Sequence, residues 1–505
     1  MLGLATFTLL FLLLSQLVHG QLNGFDEYVT KAMRDWEVPG IAIAVIKDDK
    51  IVLAKGYGVR QLGAEAPVDE RTLFAIGSSS KAFTAAGLAM LVDEGKIKWD
   101  DPAVKHLPGF EMFDPYVTRE LRIRDLLTHR SGLERGDFLW YGSELDRDEI
   151  LRRTRYLKPT WSLRSNFGYQ NLMYLAAGQV AAKATGKSWD EFIKSRIFTP
   201  LGMTASNTSI KDFKNGDNVA TPHASVEDKV QPIAWRNIDN IAPAGSINSN
   251  VLDMAQWVRL QLGQGTFEGK KLISPAAMRE MHMPQTVMRL EGAYTMFYPE
   301  AHFLTYGLGW FMHDYKGKKV VEHGGAIDGM RAGVAMIPEE KLGVVILTNM
   351  NGSLLPIPLM FKVFDAYLGG TQKDWSADML KALKPLQEQG KAAEKKAESE
   401  RVMGTNPSLA LEKYAGTYKN DLYGEVKINN EGGKLNINFG PAFKSDLQHW
   451  HYDTFRAQFN GPVASKVLVA FGLNPQGKAD TVTLGLFSDY PFKRVPDPPL
   501  AKAAQ

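Results

Sequence analysis

The stretch Ser78-Ser79-Ser80-Lys81 opens an alanine-rich helical pattern that ends near Gly95, and no other S-x-x-K tetrad occurs in the chain. A serine hydroxyl is a poor nucleophile near neutral pH and needs a base beside it. Helix positions three apart share one face, so Ser78 and Lys81 are expected to meet. Burial beside other donors lowers a lysine pKa and lets it accept a proton. The alternative is that Ser78 or a neighbour merely caps the helix.

A second group of polar residues is Tyr169-Gln170-Asn171, between a turn-like segment and a helix predicted over 172–184. A tyrosinate can act as a general base where cations lower its pKa, and an asparagine can donate to a substrate amide or orient the lysine. Y-x-N is a weak signal alone, since Tyr418-Lys419-Asn420 also matches. The alternative for Tyr169 is a half-buried aromatic side chain with a satisfied hydroxyl.

The third group is His323-Gly324-Gly325, the only H-x-G in the chain, and the pattern predicts that it follows a strand ending at Glu322. Glycines there let a substrate backbone approach the strand edge. An imidazole can supply a proton, a hydrogen bond or partial positive charge. The alternative is an ordinary turn.

In this order and spacing, the three groups resemble the motifs of the penicillin-binding protein and serine β-lactamase superfamily. The similarity is to its class C β-lactamase-like branch, which includes D-aminopeptidases and family VIII esterases and has Y-x-N in place of S-D-N. It extends from Phe25 to Leu368. The resemblance implies an α/β fold of the α+β type, with a central antiparallel sheet flanked by helices and a helical subdomain. It also makes His129, in the stretch 123–133, a scaffold residue.

The resemblance also implies a role for each site residue. Ser78 is acylated, Lys81 and Tyr169 share its proton, and Asn171 binds the acyl amide. His323 replaces the lysine of the K-T-G motif, which weakens the anchor for a substrate carboxylate. The remaining substrate-binding and oxyanion-binding positions would be backbone groups, at Ser78, Gly324, Gly325 and Ala326.

The domain organisation is expected to be a signal peptide (1–20), a hydrolase domain (21–370), a charged helical linker (371–407) and a small lipocalin-like β domain (408–497). Strand-like segments at both ends of the hydrolase domain are expected to share one sheet. Pro385 and Gly390 are expected to interrupt the linker helix. In the β domain His449 and His451 alternate on one strand face, and without a third nearby ligand we expect a polar face and no metal.

The composition of the chain narrows the classes of function and partner that remain. The 505 residues carry a net charge of +3, which gives no reason to expect nucleic acid as a partner, and no cysteine, which excludes thiolate catalysis. The apolar run 2–18 predicts a cleaved signal peptide and a secreted or periplasmic protein with no stable membrane span; an uncleaved anchor is the alternative. No cofactor is expected, and the oligomeric state stays open.

The function predicted from these features is a serine hydrolase, a peptidase or amidase acting on small acyl or D-amino-acid peptide substrates. The alternatives are a carboxylesterase for short acyl esters and a non-catalytic penicillin- or peptidoglycan-binding protein. Loops 134–158 and 212–240 are expected to set the substrate. In the first loop, aromatic residues such as Phe138 suggest either an apolar acyl site or ordinary loop packing.

Overall fold

A computed structural model describes residues 21–369, 373–459 and 466–496, so the predicted signal peptide lies outside the described residues. Contacts divide the chain into two compact units. One comprises the described residues up to Arg135 together with those between Pro159 and Pro385, and the other comprises 136–158 together with the described residues from Leu386 onward. Within the described ranges, no helix is both long and apolar enough to cross a membrane.

An eight-stranded antiparallel sheet forms the centre of the first unit. In chain order its strands are β1 (Gly40–Lys47), β2 (Lys50–Gly58), β3 (Thr286–Met288), β4 (Leu304–Tyr306), β5 (Phe311–Tyr315), β6 (Lys318–Ile327), β7 (Met330–Ile337) and β8 (Leu342–Thr348). Their spatial order is β2-β1-β8-β7-β6-β5-β4-β3. Because β1 pairs with β8, the prediction that both ends of the domain share one sheet is confirmed.

Helices cover both faces of this sheet because the central strands are apolar on both sides. Ile346 of β8 packs in a core cluster with the helices Phe25–Asp35 and Pro356–Leu368. Gly343 of the same strand points to the opposite face, where a Cβ would overlap Val258. The sheet is therefore enclosed between helices, as the fold class predicted.

The remaining helices of the first unit lie mostly between β2 and β3, in agreement with the expected helical subdomain. Their bounds are Ser80–Asp93, Ala103–His106, Pro115–Glu120, Ile123–Leu127, Asn171–Thr185, Trp189–Ile193, Thr199–Leu201, Ala242–Gly245, Val251–Leu262, Pro275–Met281 and Ala293–Phe297. Short two-stranded ribbons pair Phe74–Ala75 with Asn248–Ser249, His223–Val226 with Lys229–Pro232, and Thr266–Phe267 with Lys270–Lys271.

Two local predictions are wrong. Strand β6 does not end at Glu322 but continues to Ile327, because β7 keeps pairing with it beyond that point. The helix Trp375–Ser399 runs through Pro385 and Gly390 without a break. Most of its side chains beyond Met379 are exposed, so water can satisfy the carbonyl that a proline leaves without a donor.

The second unit is a closed eight-stranded barrel. Its strands are β9 (Gly416–Asn420), β10 (Gly424–Glu431), β11 (Lys434–Asn438), β12 (Lys444–His451), β13 (Thr454–Gln458), β14 (Lys466–Leu473), β15 (Ala479–Leu484) and β16 (Phe492–Arg494). Alternating residues such as Val426 and Ile428 point into its core, as the sequence pattern predicted. His449 contacts the Tyr452 carbonyl oxygen at 2.9 Å.

Residues 136–158, which include the helix Arg147–Arg153, belong to this second unit although the predicted domains are contiguous. The Phe138 ring lies 5.9 Å from the Phe443 ring and 5.5 Å from the Phe487 ring, centroid to centroid. These edge contacts are typical of buried aromatic pairs. They favour the loop-packing alternative for Phe138 over an acyl site.

Candidate active site

Ser78 lies in a 3₁₀ turn, Gly77–Ser79, that leads directly into the helix Ser80–Asp93. Its side chain is half-buried, whereas Ser79 is buried and donates to the His323 carbonyl oxygen at 2.9 Å. No side chain caps this helix start. The alternative that Ser78 or a neighbour merely caps the helix is therefore wrong.

Lys81 is fully buried beneath Ser78. Its Nζ lies 3.1 Å from Ser78 Oγ, 2.7 Å from Asn171 Oδ1 and 2.8 Å from the Ala244 carbonyl oxygen. The Asn171 and Ala244 oxygens can only accept, so two Nζ hydrogens point at them. In a neutral amine the remaining lone pair points at Ser78 Oγ, as a base for that hydroxyl requires. The sequence spacing thus correctly predicted the meeting of Ser78 and Lys81.

Tyr169 stands just before the helix Asn171–Thr185, with Lys81 Nζ 4.8 Å from the centroid of its half-buried ring. The helix is capped by Gln170, whose Oε1 accepts from the Leu172 N–H at 3.0 Å. Asn171 accepts from Lys81 through Oδ1, so its Nδ2 is the donor end of the amide. The structure therefore brings both residues of the second motif to the serine–lysine pair.

Strand β6 presents a partly open edge beside Ser78. Its pairing with β5 stops at Glu322, whereas its pairing with β7 extends to Ile327. Gly324 and Ala326 are exposed along this last part of the strand. Among the described strands, none continues the sheet on the β5 side there, so an extended backbone could pair with this edge.

The turn carrying Ser78 touches β6 backbone to backbone. A Cβ on Gly77 would lie 2.5 Å from Ala326 N, and a Cβ on Gly325 would overlap the Ile76 carbonyl oxygen and lie 3.1 Å from Ser78 N. Glycine at both positions permits this approach. The N–H groups of Ser78 and Ala326 thus belong to two segments in direct contact.

His323 is buried and both of its ring nitrogens are engaged. Nδ1 lies 2.6 Å from the Gly324 carbonyl oxygen, which can only accept, so Nδ1 carries the hydrogen and Nε2 accepts from the Tyr306 hydroxyl at 2.9 Å. Burial, and next the Lys81 charge, lower the pKa of His323 to about 3. This imidazole is therefore uncharged near neutral pH, and its one ring hydrogen points at the Gly324 carbonyl oxygen. Of the three roles considered from the sequence, a positive charge is the one that the structure does not support.

His129 packs as a scaffold residue in the structure, which is the role that the resemblance implies. It is fully buried, and its Nδ1 accepts from the Gln170 N–H at 3.0 Å. Burial, and next the charge of Lys81, hold the pKa of His129 well below its usual value. The centroid of its neutral ring lies 4.2 Å from the centroid of the Tyr169 ring, so the two rings pack against each other.

A buried carboxylate fixes the loop that precedes Tyr169. Asp125 is fully buried and accepts from Arg130 Nε and from Arg164 Nη2, both at 2.7 Å. Arg164 belongs to that loop and has a φ of 65°, which is strained for a non-glycine residue. The ion pairs hold the strained loop in place.

Three groups near the site were not predicted as parts of it. They are the Ala244 carbonyl oxygen on Lys81, the Tyr306 hydroxyl on His323, and the Arg135 guanidinium, whose Cζ lies 4.8 Å from the centroid of the Tyr169 ring. A backbone carbonyl leaves no residue-type signal in a sequence. An arginine in a loop is ordinarily a solvated charge.

A serine whose hydroxyl meets a buried lysine, beside an open strand edge, defines a serine hydrolase. The family description Beta-lactamase matches residues 25–356, and the chain belongs to this family. A second description, Domain of unknown function (DUF3471), matches residues 400–495. The sequence-based assignments of superfamily, fold class and serine hydrolase activity are confirmed.

Relatives agree with this assignment. The chain is 29% identical over 496 residues to "Unguisins hydrolase ungD" of Aspergillus violaceofuscus (strain CBS 115571), covering 91% of this chain and 87% of that protein. It is 24% identical over 350 residues to "Protein flp" of Staphylococcus aureus (strain NCTC 8325 / PS 47), covering 68% and 66%. The octameric penicillin-binding protein homologue from Pyrococcus abyssi shares the fold, with a TM-score of 0.62 and 22% identity over 93% of this chain and 99% of that one.

Proposed function

We propose that the protein hydrolyses small acyl compounds, such as D-amino-acid peptides or amides, through a covalent acyl-enzyme on Ser78. The observation that carries the proposal is the 3.1 Å approach of buried Lys81 Nζ to Ser78 Oγ. Two neutral oxygens hold the same nitrogen in place. This arrangement suits a lysine that takes the serine proton during attack.

In the proposed first step, Ser78 Oγ bonds to the substrate carbonyl carbon and its proton passes to Lys81 or Tyr169. The carbonyl oxygen becomes an oxyanion, which the N–H groups of Ser78 and Ala326 stabilise. The tetrahedral centre then collapses, the bond to the leaving nitrogen or oxygen breaks, and the leaving group takes up the proton. Asn171 orients the acyl amide through Nδ2, the donor end of its side chain.

In the second step a water molecule attacks the acyl carbon and gives its proton to the same base. The Ser78 ester bond breaks, Ser78 Oγ regains a proton, and the acid product leaves. The hydrolysis thus needs no metal or redox group.

The neutral state of His323 bears on the choice of substrate. A fixed cation on β6 would favour substrates with a carboxylate near the reacting carbonyl, as β-lactam antibiotics have. His323 offers none, since its pKa is lowered to about 3 by burial. The open edge of β6 suits an extended peptide backbone. Both features support peptide, amide or ester substrates over β-lactams.

A substrate panel tests the proposal. Purified protein is assayed with D-amino-acid amides, p-nitrophenyl esters, unguisins and a chromogenic cephalosporin, beside Ser78→Ala and the exposed-serine control Ser225→Ala. We expect kcat/KM to be higher for an amide, a peptide or an ester than for the cephalosporin, with loss of turnover only in Ser78→Ala. Fastest turnover of the cephalosporin would overturn the substrate assignment, and fastest turnover of the esters would make the protein a carboxylesterase.

We also propose that the protein is secreted or periplasmic. The apolar run 2–18 supports export. Amino-terminal sequencing of the protein from its native source is expected to begin at Gln21. A mature protein that retains residues 1–20 would contradict this.

A further inference from the structure

Two cations lie close to the Tyr169 ring. Lys81 Nζ and Arg135 Cζ are each 4.8 Å from its centroid. Lys81 is buried, whereas Arg135 is exposed, so the phenol ring has one cation on the protein side and another towards solvent. A positive charge this close stabilises a phenolate over a phenol.

The backbone around Arg135 is held by the residues on either side of Tyr169. A Cβ on Gly168 would overlap the Leu133 carbonyl oxygen, so these two segments are in contact. Gln170 Nε2 donates to the Glu134 carbonyl oxygen at 2.7 Å. Arg135 is thus placed over Tyr169 by contacts that the two residues before it make with the residues flanking the tyrosine.

The two histidines and two tyrosines next to Tyr169 add no positive charge. His129 and His323 have ring centroids 4.2 and 6.4 Å from that of Tyr169, and both have pKa values held low by burial. Burial also keeps Tyr174 and Tyr306 protonated, with pKa values well above the usual range. Lys81, Arg135, His129, His323, Tyr174 and Tyr306 thus face the phenol.

We propose that Arg135 is a positioning residue for the Lys81–Tyr169 pair, which shares one proton. When that proton is on Lys81, the two cations together hold Tyr169 as a phenolate, the form able to accept the Ser78 proton. This inference rests on the proposed acyl-enzyme function. Arg135, an exposed loop residue, supplies a positive charge beside the phenol that the buried, neutral histidines do not supply. At about 6 Å and the screening of a half-exposed site, one cation shifts the pKa of a phenol by about one unit.

The test is the pH profile of kcat/KM on an uncharged ester, measured for Arg135→Gln and Arg135→Lys. In Arg135→Gln we expect the acidic limb of the profile to move to a pH about one unit higher. At pH values below this limb kcat/KM should be about tenfold lower than in wild type, and above it kcat/KM should be close to wild type. Arg135→Lys should restore most of the shift. Arg119→Gln is the matched control, because Arg119 is another exposed arginine over a tyrosine ring, 5.6 Å from Tyr116.

A second measurement separates charge from structure. In a Tyr169→Phe background, Arg135→Gln should cause no further change in kcat/KM. The ¹³Cζ resonance of Tyr169, assigned by its loss in Tyr169→Phe, should titrate about one unit higher in Arg135→Gln. An acidic limb that does not move in Arg135→Gln would overturn the inference. A pH-independent decrease in kcat/KM that is larger for negatively charged substrates would also overturn it and would make Arg135 a substrate anchor. Full activity in Ser78→Ala would instead overturn the proposed function itself.

Discussion

Replacing Gly325 by alanine should separate the nucleophile from β6. The new Cβ would lie 2.8 Å from the Ile76 carbonyl carbon and overlap its oxygen, whereas ordinary contacts are about 3.4–4 Å. The obstacle is backbone on both sides, so no side chain can move out of the way. The strand and the turn carrying Ser78 must therefore move apart by about 1 Å.

A displacement of that size changes the relation between Ser78 and the Ala326 N–H. Misplacing a reacting group by about 1 Å costs about 100-fold in rate, and overpacking costs about 1–3 kcal/mol of stability. For Gly325→Ala we therefore expect kcat/KM on a p-nitrophenyl ester to fall about 100-fold. The free energy of unfolding, measured by urea denaturation, should fall by about 2 kcal/mol.

Gly343→Ala is the matched control, because Gly343 lies in the same sheet and its new Cβ would overlap a side-chain atom, Val258 Cγ1, while its nearest backbone atom would be 3.6 Å away. It should lose stability and keep kcat/KM within about twofold of wild type, since it does not touch the turn with Ser78. Activity is compared at a temperature where both variants are fully folded. If Gly325→Ala is as active as Gly343→Ala, the close approach of β6 to the nucleophile is not what builds the site.

Three further predictions concern stability. Asp125→Asn removes the buried carboxylate that two arginines share and should lower the free energy of unfolding by about 3 kcal/mol; a change below about 0.5 kcal/mol in urea denaturation would contradict it. Burial lowers the pKa of His282 and His323 to about 3 and of His313 to about 4. Between pH 6.5 and 4 the unfolded chain therefore binds more protons. The free energy of unfolding should therefore fall as pH falls, by about 1.4 kcal/mol for each histidine and each pH unit. Burial raises the pKa of Glu322 to about 7, so the folded chain binds one extra proton there, and this offsets the contribution of one of the three histidines. Equal stability at pH 7 and pH 5 would refute this. Phe138→Ala should destabilise the unit with the barrel by about 2 kcal/mol through lost contacts with Phe443 and Phe487; an unchanged melting temperature of that unit would favour the acyl-site alternative.

The residues of the three motifs and the sheet that joins both ends of the domain could be predicted from the sequence. Ser78 and Lys81 meet because helical periodicity is a local property, and β1 and β8 are recognisable as long apolar runs. The end of β6 was predicted too early because glycines usually weaken a strand. Here β7 continues to pair with β6 through the glycines, and that pairing is a tertiary contact.

Other features of the site depend on tertiary contacts that cannot be recognised from the residue types in the sequence. The Ala244 carbonyl reaches Lys81 from 163 positions away along the chain, and the hydroxyl of Tyr306 sets the tautomer of His323. His323 itself could be identified from the sequence motif. Its neutral state follows from burial, which the motif does not encode. The same holds for Phe138, whose partners lie in the distant barrel sequence.

The central claim is that Ser78 is the residue acylated. The most direct measurement is intact-mass and peptide mapping after incubation with a fluorophosphonate or a fluorescent penicillin, on wild type, Ser78→Ala and Ser225→Ala. We predict one adduct per chain, located on Ser78, in wild type and Ser225→Ala and none in Ser78→Ala. Labelling that persists in Ser78→Ala, or an adduct mapped to another residue, would contradict the account.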